Sequence, residues 1–357
     1  MAKRDIGTDD PRVRVRPGKG SRPRTKVRPD YSDAPKATVI SVDRGRFRLV
    51  MDEGTAVTAV KARELGKGAI VVGDRVSVKG DVSGKPDTLA RIVQVQARKT
   101  ALLRSAEDGE TKGNSKVLVA NAELLMVVVA LADPPPRVGM IDRLLVAAYA
   151  AGMTPIICLT KADLASPEAF RALYEPLGVR IFTTALGDSE HANQDNANAL
   201  PQNLDYQELR EFLKDRVTVL VGHSGVGKST LFNALIPKAN RPVGHVNENT
   251  GKGRHTSTST LTMPLPEGGY LIDTPGVRSF GLAHVTDEGL LAAFTDLSEL
   301  ATACPKGCPH TATSPNCELD EWLKEANLSA EEKSRRESRV ASFRRLLESR
   351  QSTTNNA

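Results

Sequence analysis

The stretch GHSGVGKST at 222–230 comprises Gly222, His223, Ser224, Gly225, Val226, Gly227, Lys228, Ser229 and Thr230, and it matches G-x-x-x-x-G-K-[ST]. Residues of these types at this spacing bind polyphosphate. Small residues let consecutive backbone N–H groups curl around phosphate oxygens at a helix N-terminus, Lys228 meets the β and γ phosphates, and Ser229 can hold Mg2+. The same letters could form a tight turn without a ligand. The apolar VTVLV before them and TLFNALI after them supply the strand and helix that a phosphate loop requires.

A second element, LIDTPG, ends an apolar run with Asp273, which can hold magnesium through water, while the Gly276 N–H can sense the γ-phosphate. Asp-Thr-Pro-Gly alone is only a turn; beside a phosphate loop it becomes a nucleotide switch. Between the two, GKGRHTSTST supplies hydroxyls for the remaining Mg2+ position, with Thr256 the first choice and Ser257 and Thr258 open. His255 either places the attacking water or is simply an exposed loop histidine. Base choice falls to LTKADL at 159–164, where Asp163 can accept both the N1–H and the exocyclic amine of guanine. Thr160, Lys161 and Ala162 complete that loop, with Lys161 expected to stack along the base. The four letters T-K-A-D are a weak match alone, but they follow the apolar PIICL at the expected sheet edge. In FTTALG, Thr184 and Ala185 form a further loop that would bring the Ala185 N–H near the guanine O6.

Three of the chain's four cysteines crowd into CPKGCPHTATSPNC. Cys304, Cys308, His310 and Cys317 are the ligand set of a closed structural Zn2+ site, a chance cluster being the alternative. Cys158 lies in an apolar run and is read as a buried core thiol.

These residues need elements to position them. The chain has 357 residues, enough for two or three compact units. Its longest apolar run, LLMVVVALA at 124–132, falls short of the roughly 20 residues that span a bilayer, so no membrane is expected. No apolar secretory segment opens it, and with unevenly placed cysteines a reducing cytoplasm is the expected location. Lys plus Arg exceed Asp plus Glu by 49 to 43, which admits a polyanionic partner. Residues 1–36 form a basic tail rich in Pro and Gly, expected to be disordered when free and to contact nucleic acid rather than merely solubilise. Residues 37–97 carry short alternating runs that suit an oligonucleotide-binding (OB) β-barrel. Phe47 is the only stacking candidate there, which favours contact through shape and phosphate.

Residues 98–284 alternate apolar strands with amphipathic helices, the pattern of a parallel sheet covered on both faces, with a polar surface insertion at 187–205. Residues 285–357 are mainly helical around the Cys/His stretch and end in EEKSRRESRVASFRRLLESR. That last helix can bind rRNA, pack Val340, Phe343 and Leu347 inward, or do both on opposite faces.

The order of base-reading loop, T-T-A loop, phosphate loop, switch threonine and D-T-P-G resembles that of circularly permuted GTPases. Cutting a GTPase sheet at one loop and joining its old ends leaves all site loops on one rim. With an OB-like barrel ahead and a Cys3His knuckle behind, residues 37–350 resemble the family of ribosome small-subunit-dependent GTPase A, RsgA or YjeQ. The resemblance rests on GHSGVGKST, GKGRHTST, DTPGVRSFGL, the Cys/His stretch and RRESRVASFRRL. It implies a monomeric GTPase that uses GTP with Mg2+, carries one structural Zn2+, and acts in late maturation of the 30S subunit. The GTP form would dock on 16S rRNA near the decoding centre, and the ribosome would stimulate hydrolysis to GDP.

The chain departs from the family pattern at several places. Thr160 stands where Asn is usual, which weakens an expected purine contact, and Thr184 stands where Ser is common. The zinc ligands are separated by three, one and six residues where four, one and five are expected. The long basic tail is unexplained by the family. Val277 occupies the place of a water-orienting Gln, so slow intrinsic turnover and strong stimulation are expected. The competing readings are a P-loop ATPase or kinase, for which Asp163 would be dispensable, and a nucleotide-gated RNA-binding scaffold.

Overall fold

The computed structural model describes residues 31–43, 45–66, 70–104, 116–185, 204–239, 260–274, 285–326 and 328–355. The expected disordered tail therefore lies almost wholly outside the described residues, as does nearly all of the 187–205 insertion. Residues Ala34–Ala357 form one compact unit.

Strands β1 (Lys36–Asp43), β2 (Arg46–Met51), β3 (Ala56–Lys61), β4 (Arg75–Gly80) and β5 (Ala90–Val95) close into a barrel in the order β1-β2-β3-β5-β4. Alternation along each strand decides what fills it, because successive side chains point to opposite faces. Val39, Leu49, Val57, Val76, Val78 and Ile92 face inward and are buried. Phe47 joins them at 6% exposure, so the stacking role considered for it is excluded. Its neighbours Arg46 and Arg48 face solvent instead. Cross-strand register places Arg46 beside Val60, Val60 beside Arg91, and Arg91 beside Lys79, which makes a cationic row across the barrel's outer face.

A hairpin absent from the sequence reading, β6 (Ala101–Arg104) and β7 (Lys116–Ala120), joins the barrel to the central region of the chain. Ala120 N donates to Val72 O at 2.9 Å, and the Asn121 amide donates to Gly73 O at 2.9 Å. Gly73 has φ 86°, and a Cβ there would run into the Ala120 carbonyl, so only glycine permits this approach. Alongside, the fully buried Asp74 accepts from Arg98 Nε at 2.7 Å and Nη2 at 2.9 Å, and from Val71 N at 2.8 Å. Both carboxylate oxygens that burial removes from water thus meet a donor close by.

The central region runs β8 (Leu124–Ala130), α1 (Val138–Ala150), β9 (Thr154–Thr160), α2 (Glu168–Tyr174), β10 (Arg180–Thr183), α3 (Leu204–Leu213), β11 (Val217–Val221), α4 (Lys228–Leu235), β12 (Leu261–Pro264) and β13 (Tyr270–Asp273). The sheet order is β10-β9-β8-β11-β13-β12. All seven residues of β8 are buried. Leu125, Val127 and Val129 pack on one face with α1, while Leu124, Met126 and Val128 pack on the other with Tyr206 and Leu209 of α3 and Phe232 of α4. A continuous apolar strand is what two covered faces require. β12 departs from the expected all-parallel arrangement and runs antiparallel to β13. Only a tight turn at Leu265–Gly269, closed by Leu265 N to Gly269 O at 3.0 Å, links the two, and so short a link cannot join parallel neighbours.

The C-terminal region holds α5 (Asp287–Leu291), α6 (Thr295–Ala301), α7 (Glu318–Leu323) and the long α8 (Ala330–Asn355). Val340, Phe343, Leu346 and Leu347 of α8 are buried in the same core as α1 and Tyr174, so the packing reading of this helix holds. Its cations are largely engaged within the chain. Arg345 donates to the buried Asp142 of α1 at 3.0 Å and to Leu173 O at 3.2 Å. Burial pushes the Asp142 carboxyl up, and the Arg345 charge opposes that rise. Arg339 pairs with Asp296, Arg344 with Asp320, Arg350 with Asp287, and both Arg335 and Arg336 with Glu332. Six of the helix's seven Lys and Arg residues therefore have carboxylate partners in the chain. Among the described residues no helix is long and apolar enough to cross a membrane.

Phe343 is fully buried at the centre of this seam, so Phe343→Ala is expected to lower stability by about 3–5 kcal/mol in denaturant or thermal unfolding. Arg335→Ala, at a solvent-exposed pair, is expected to leave the unfolding midpoint almost unchanged in the same assay.

Candidate functional site

Strands β9, β10, β11 and β13 are parallel through their shared neighbours, so each releases its chain at the same sheet edge. Thr160–Asp163 follows β9, Thr184 and Ala185 follow β10, the phosphate loop follows β11, and Asp273 closes β13. Register fixes their relative heights: Thr160 pairs with Ala130, Val221 with Val127, and Asp273 with Leu220. Chain order is irrelevant to this convergence, and the loop after β9 can precede the loop after β11 without moving.

Gly222 leaves β11 where a Cβ would collide with the Val128 carbonyl, which explains why a side chain is excluded at the first loop position. The loop is anchored from below by Val226, 4% exposed in the core beneath α4. Helix α4 then begins at Lys228, with Gly227 as its cap and Ser229 and Thr230 in its first turn. Lys228 Nζ donates to Gly222 O at 2.7 Å and His223 O at 2.6 Å, so its ammonium lies across the loop mouth. Ser224 is exposed, and its carbonyl lies 2.9 Å from His223 Nδ1.

The other two loops are fastened to each other and to this one. Thr184 N donates to Leu159 O at 2.7 Å, its hydroxyl donates to the same carbonyl at 3.0 Å, and Ala162 N donates to Thr184 O at 3.3 Å. Thr160 is 7% exposed and donates its hydroxyl to Val226 O of the phosphate loop at 2.7 Å. Lys161 adopts φ 57° and its ammonium bonds the Asp133 carbonyl, so it is tethered to the loop after β8. Asp163 remains exposed on the rim. Asp273 and Thr274 are each 3% exposed, with the Thr274 hydroxyl donating to Leu220 O at 3.1 Å. His255, Thr256, Ser257, Thr258, Gly276 and Val277 lie outside the described residues. Cys158 is fully buried in β9, as read from its apolar setting.

Cys304, Cys308, His310 and Cys317 converge, their ligand atoms all lying within 4.8 Å of one another. His310 Nδ1 stands 3.6 Å from Cys304 Sγ and 3.7 Å from Cys317 Sγ. A tetrahedron with metal–sulfur bonds of about 2.3 Å and metal–nitrogen bonds of about 2.0 Å has S···N edges of about 3.5 Å, so the donor set fits a four-coordinate cation. The unusual ligand spacing is absorbed locally. Cys308 N closes a turn on Pro305 O at 3.0 Å, and Ser314 N closes another on Thr311 O at 3.1 Å inside the six-residue interval. Around the donors, Glu318 N donates to Cys304 Sγ at 3.2 Å, and Arg344 donates to His310 O at 3.0 Å while gripping Asp320. Burial pushes the Cys317 thiol up to about 11, the neighbouring Cys308 and Cys304 adding to it. A dication reverses that trend by stabilising thiolates. Burial, aided by Arg344, lowers His310 and so favours the neutral imidazole a metal needs.

Asp133 and Arg344 escaped the sequence reading although they orient Lys161 and the His310 loop. Asp133 had no local signal, and Arg344 looked like one more cation of a basic helix.

A phosphate loop, an acidic guanine-type loop and a buried strand-end aspartate on one parallel edge define a P-loop GTPase with a permuted chain order. The model of a family described as RsgA GTPase matches residues 95–283. The "Small ribosomal subunit biogenesis GTPase RsgA" of Chlorobaculum tepidum is 34% identical over 290 residues, 80% of this chain and 86% of that protein. The protein of the same name from Azotobacter vinelandii is 34% identical over 288 residues, 79% of this chain and 75% of that one. Among solved structures, YjeQ from Thermotoga maritima superposes with TM-score 0.58 at 25% identity, covering 88% of this chain and 98% of that one. YloQ, a circularly permuted GTPase, superposes with TM-score 0.57 at 20% identity over 87% of this chain and 94% of its own, a likeness of fold. The chain belongs to the RsgA GTPase family, and its activity is hydrolysis of GTP.

Cys317→Ser is expected to remove stoichiometric metal from the purified protein and to lower its melting temperature, whereas Cys158→Ser should leave metal content unchanged. Elemental analysis of both variants beside the parent checks this.

Proposed function

We propose that the chain hydrolyses GTP to GDP and phosphate during late maturation of the small ribosomal subunit, engaging 16S rRNA in its GTP-bound form. The observation that carries the reading is the bonded rim itself: Asp163 stands exposed on a loop tied by Thr160 to the phosphate loop. Base selection and phosphate binding thus act on one ligand. In this reading Asp163 takes the guanine N1–H and amine, the Ala185 N–H meets O6, and Thr184 holds that loop closed on Leu159. Backbone N–H groups of Gly222–Gly227 wrap the phosphates, and Lys228 transfers from the loop carbonyls to β and γ oxygens when they arrive. Mg2+ bound with GTP supplies charge neutralisation at those oxygens; Ser229 and Thr256 would hold it directly and Asp273 through water. Gly276 would sense the γ-phosphate, and His255 would place the attacking water. Val277, apolar where Gln is usual, leaves water orientation to a partner.

The ion of the Cys3His cluster is zinc in this reading, closed and structural, with no open coordination position for chemistry. The relatives from Chlorobaculum tepidum and Azotobacter vinelandii, both named small ribosomal subunit biogenesis GTPases, support a role in small-subunit biogenesis. The cationic row Arg46, Arg91 and Lys79, with Arg48 beside it, supports phosphate contact by the barrel. The working arrangement is a cytoplasmic monomer with a barrel over 37–97, a GTPase region over 98–284 and a zinc-bearing helical region over 285–357.

Steady-state hydrolysis of GTP and ATP, with and without 30S subunits, tests the reading. Slow GTP turnover that 30S subunits raise strongly, and that Asp163→Ala abolishes, is the expected result. Equal use of ATP, or no response to subunits, would overturn it. In sedimentation with 30S subunits, Arg46→Glu combined with Arg48→Glu is expected to weaken binding and flatten its salt dependence, while intrinsic GTP turnover stays unchanged.

A further inference from the structure

We infer that the groove between α6 and α7 docks a lysine- and arginine-rich segment of a partner protein. The inference goes beyond the GTPase reading and uses no residue of the nucleotide rim or of the Cys3His cluster.

The charge of this region runs against that of the chain. Between Asp287 and Glu325 the sequence carries eight carboxylates against two lysines and no arginine, inside a chain whose formal charge is +6. Arginines of α8 take Asp287, Asp296, Asp320 and Glu325, and Lys324 takes Glu321. Two of the remaining three, Glu299 and Glu318, have no ion pair among the described residues. Both line one groove of about 450 Å3, whose floor is Leu300, Ala303 and Trp322 and whose margin is Asp296. No cation lines it. Uncompensated carboxylates over an apolar floor attract a basic polypeptide, and they repel the phosphates of a nucleic acid.

Helical spacing builds both walls. Asp296, Glu299, Leu300 and Ala303 recur at intervals that keep them on one face of α6 and the turn after it, and Glu318 and Trp322 stand four apart on α7. The walls are fixed before any partner arrives. Leu297 and Leu319 anchor the two helices in the core, and Arg339 grips Asp296 with bonds of 3.0 and 2.7 Å. Glu318 N donates to Cys304 Sγ at 3.2 Å, and Arg336 donates to Trp322 O at 3.0 Å. Preformed walls spare a partner the cost of ordering them. The Arg336 guanidinium lies 4.5 Å from the Trp322 ring centroid, so the chain covers one part of the indole while another part lines the groove. Its N–H makes no hydrogen bond among the described residues and suits a backbone carbonyl of the docked segment. Cations of that segment meet Glu299 and Glu318, and its apolar side chains meet Leu300 and Ala303.

Trp322 is the chain's single tryptophan, so its fluorescence reports occupancy of this groove. The full chain is titrated with a short blocked peptide of repeating Arg-Ala-Leu units, with its Glu-Ala-Leu counterpart, and with an oligouridylate of similar length. The arginine peptide is expected to shift the emission saturably and to bind less tightly as salt rises, while the other two leave it unchanged. Glu299→Lys combined with Glu318→Lys should weaken the peptide roughly tenfold or more, with metal content and GTP turnover at parental values. Should charge reversal prevent folding, Glu299→Gln combined with Glu318→Gln keeps the shape and is expected to weaken binding in the same direction by a smaller factor. No saturable shift with the arginine peptide, equal affinity in the parent and the glutamine variant, or a tighter response to the oligouridylate would overturn the inference.

Discussion

A parallel strand can deliver a loop only to the edge where its carboxyl end emerges, and the organisation of this protein depends on that constraint. Five strands of the sheet share one direction, so the loops after β9, β10, β11 and β13 meet whatever their order in the chain. The buried strand β8 makes the arrangement stable by supplying apolar side chains to both faces at once. With the backbone direction fixed, a few short bonds suffice to assemble the site. Thr160 to Val226, Thr184 to Leu159 and Ala162 to Thr184 join three loops through groups that burial would otherwise leave without water.

The same sheet also organises the regions on either side. One face carries α1 and, across it, α8, whose apolar residues share a core with Leu319 and with Cys317 of the Cys3His cluster. The cluster is thus part of the main core's margin rather than a separate knuckle. Arg344 makes the link explicit: it grips Asp320 and the His310 carbonyl from α8. Arg350, farther along, holds the carbonyl of Val285, the first described residue after the Asp-Thr-Pro-Gly stretch. A single helix therefore touches Val285, which follows the strand-end aspartate in the chain, and the backbone of His310 in the Cys3His cluster. On the barrel side, Asp74, Arg98 and Asn121 form an interlock that gives the barrel little freedom to turn against the hairpin.

Much of this was legible in the sequence because short-range patterns have short-range causes. The phosphate loop, the T-K-A-D loop, the alternating barrel strands and the Cys/His set each carry their chemistry within a few consecutive residues. What escaped was decided by distant partners. Phe47 has the type of a stacking residue, but the phase of β2 turns it inward. The β6–β7 hairpin is four and five residues long and draws its stability from Val72 and Gly73, nearly fifty positions away from Asn121. Thr160 looked like a weakened base contact, and only the fold reveals Val226 above it, sixty-six residues later in the chain.

Charge shows most plainly why composition alone misleads. The chain's formal charge of +6 and its arginine-rich last helix suggest an RNA-binding terminus. In the fold, the arginines of α8 meet Asp142, Asp287, Asp296, Asp320 and Glu332, so their charge is largely cancelled where it arises. A guanidinium already bonded to a carboxylate would have to give up that partner to gain a phosphate, which reduces the net gain. Arg46, Arg48 and Arg91 on the barrel face solvent across neighbouring strands. Strand alternation keeps them outward by burying Phe47, Leu49 and Ile92 between them. The phase of β2 and β5 therefore turns these barrel arginines to solvent, whereas the arginines of α8 are held by carboxylates of the same chain.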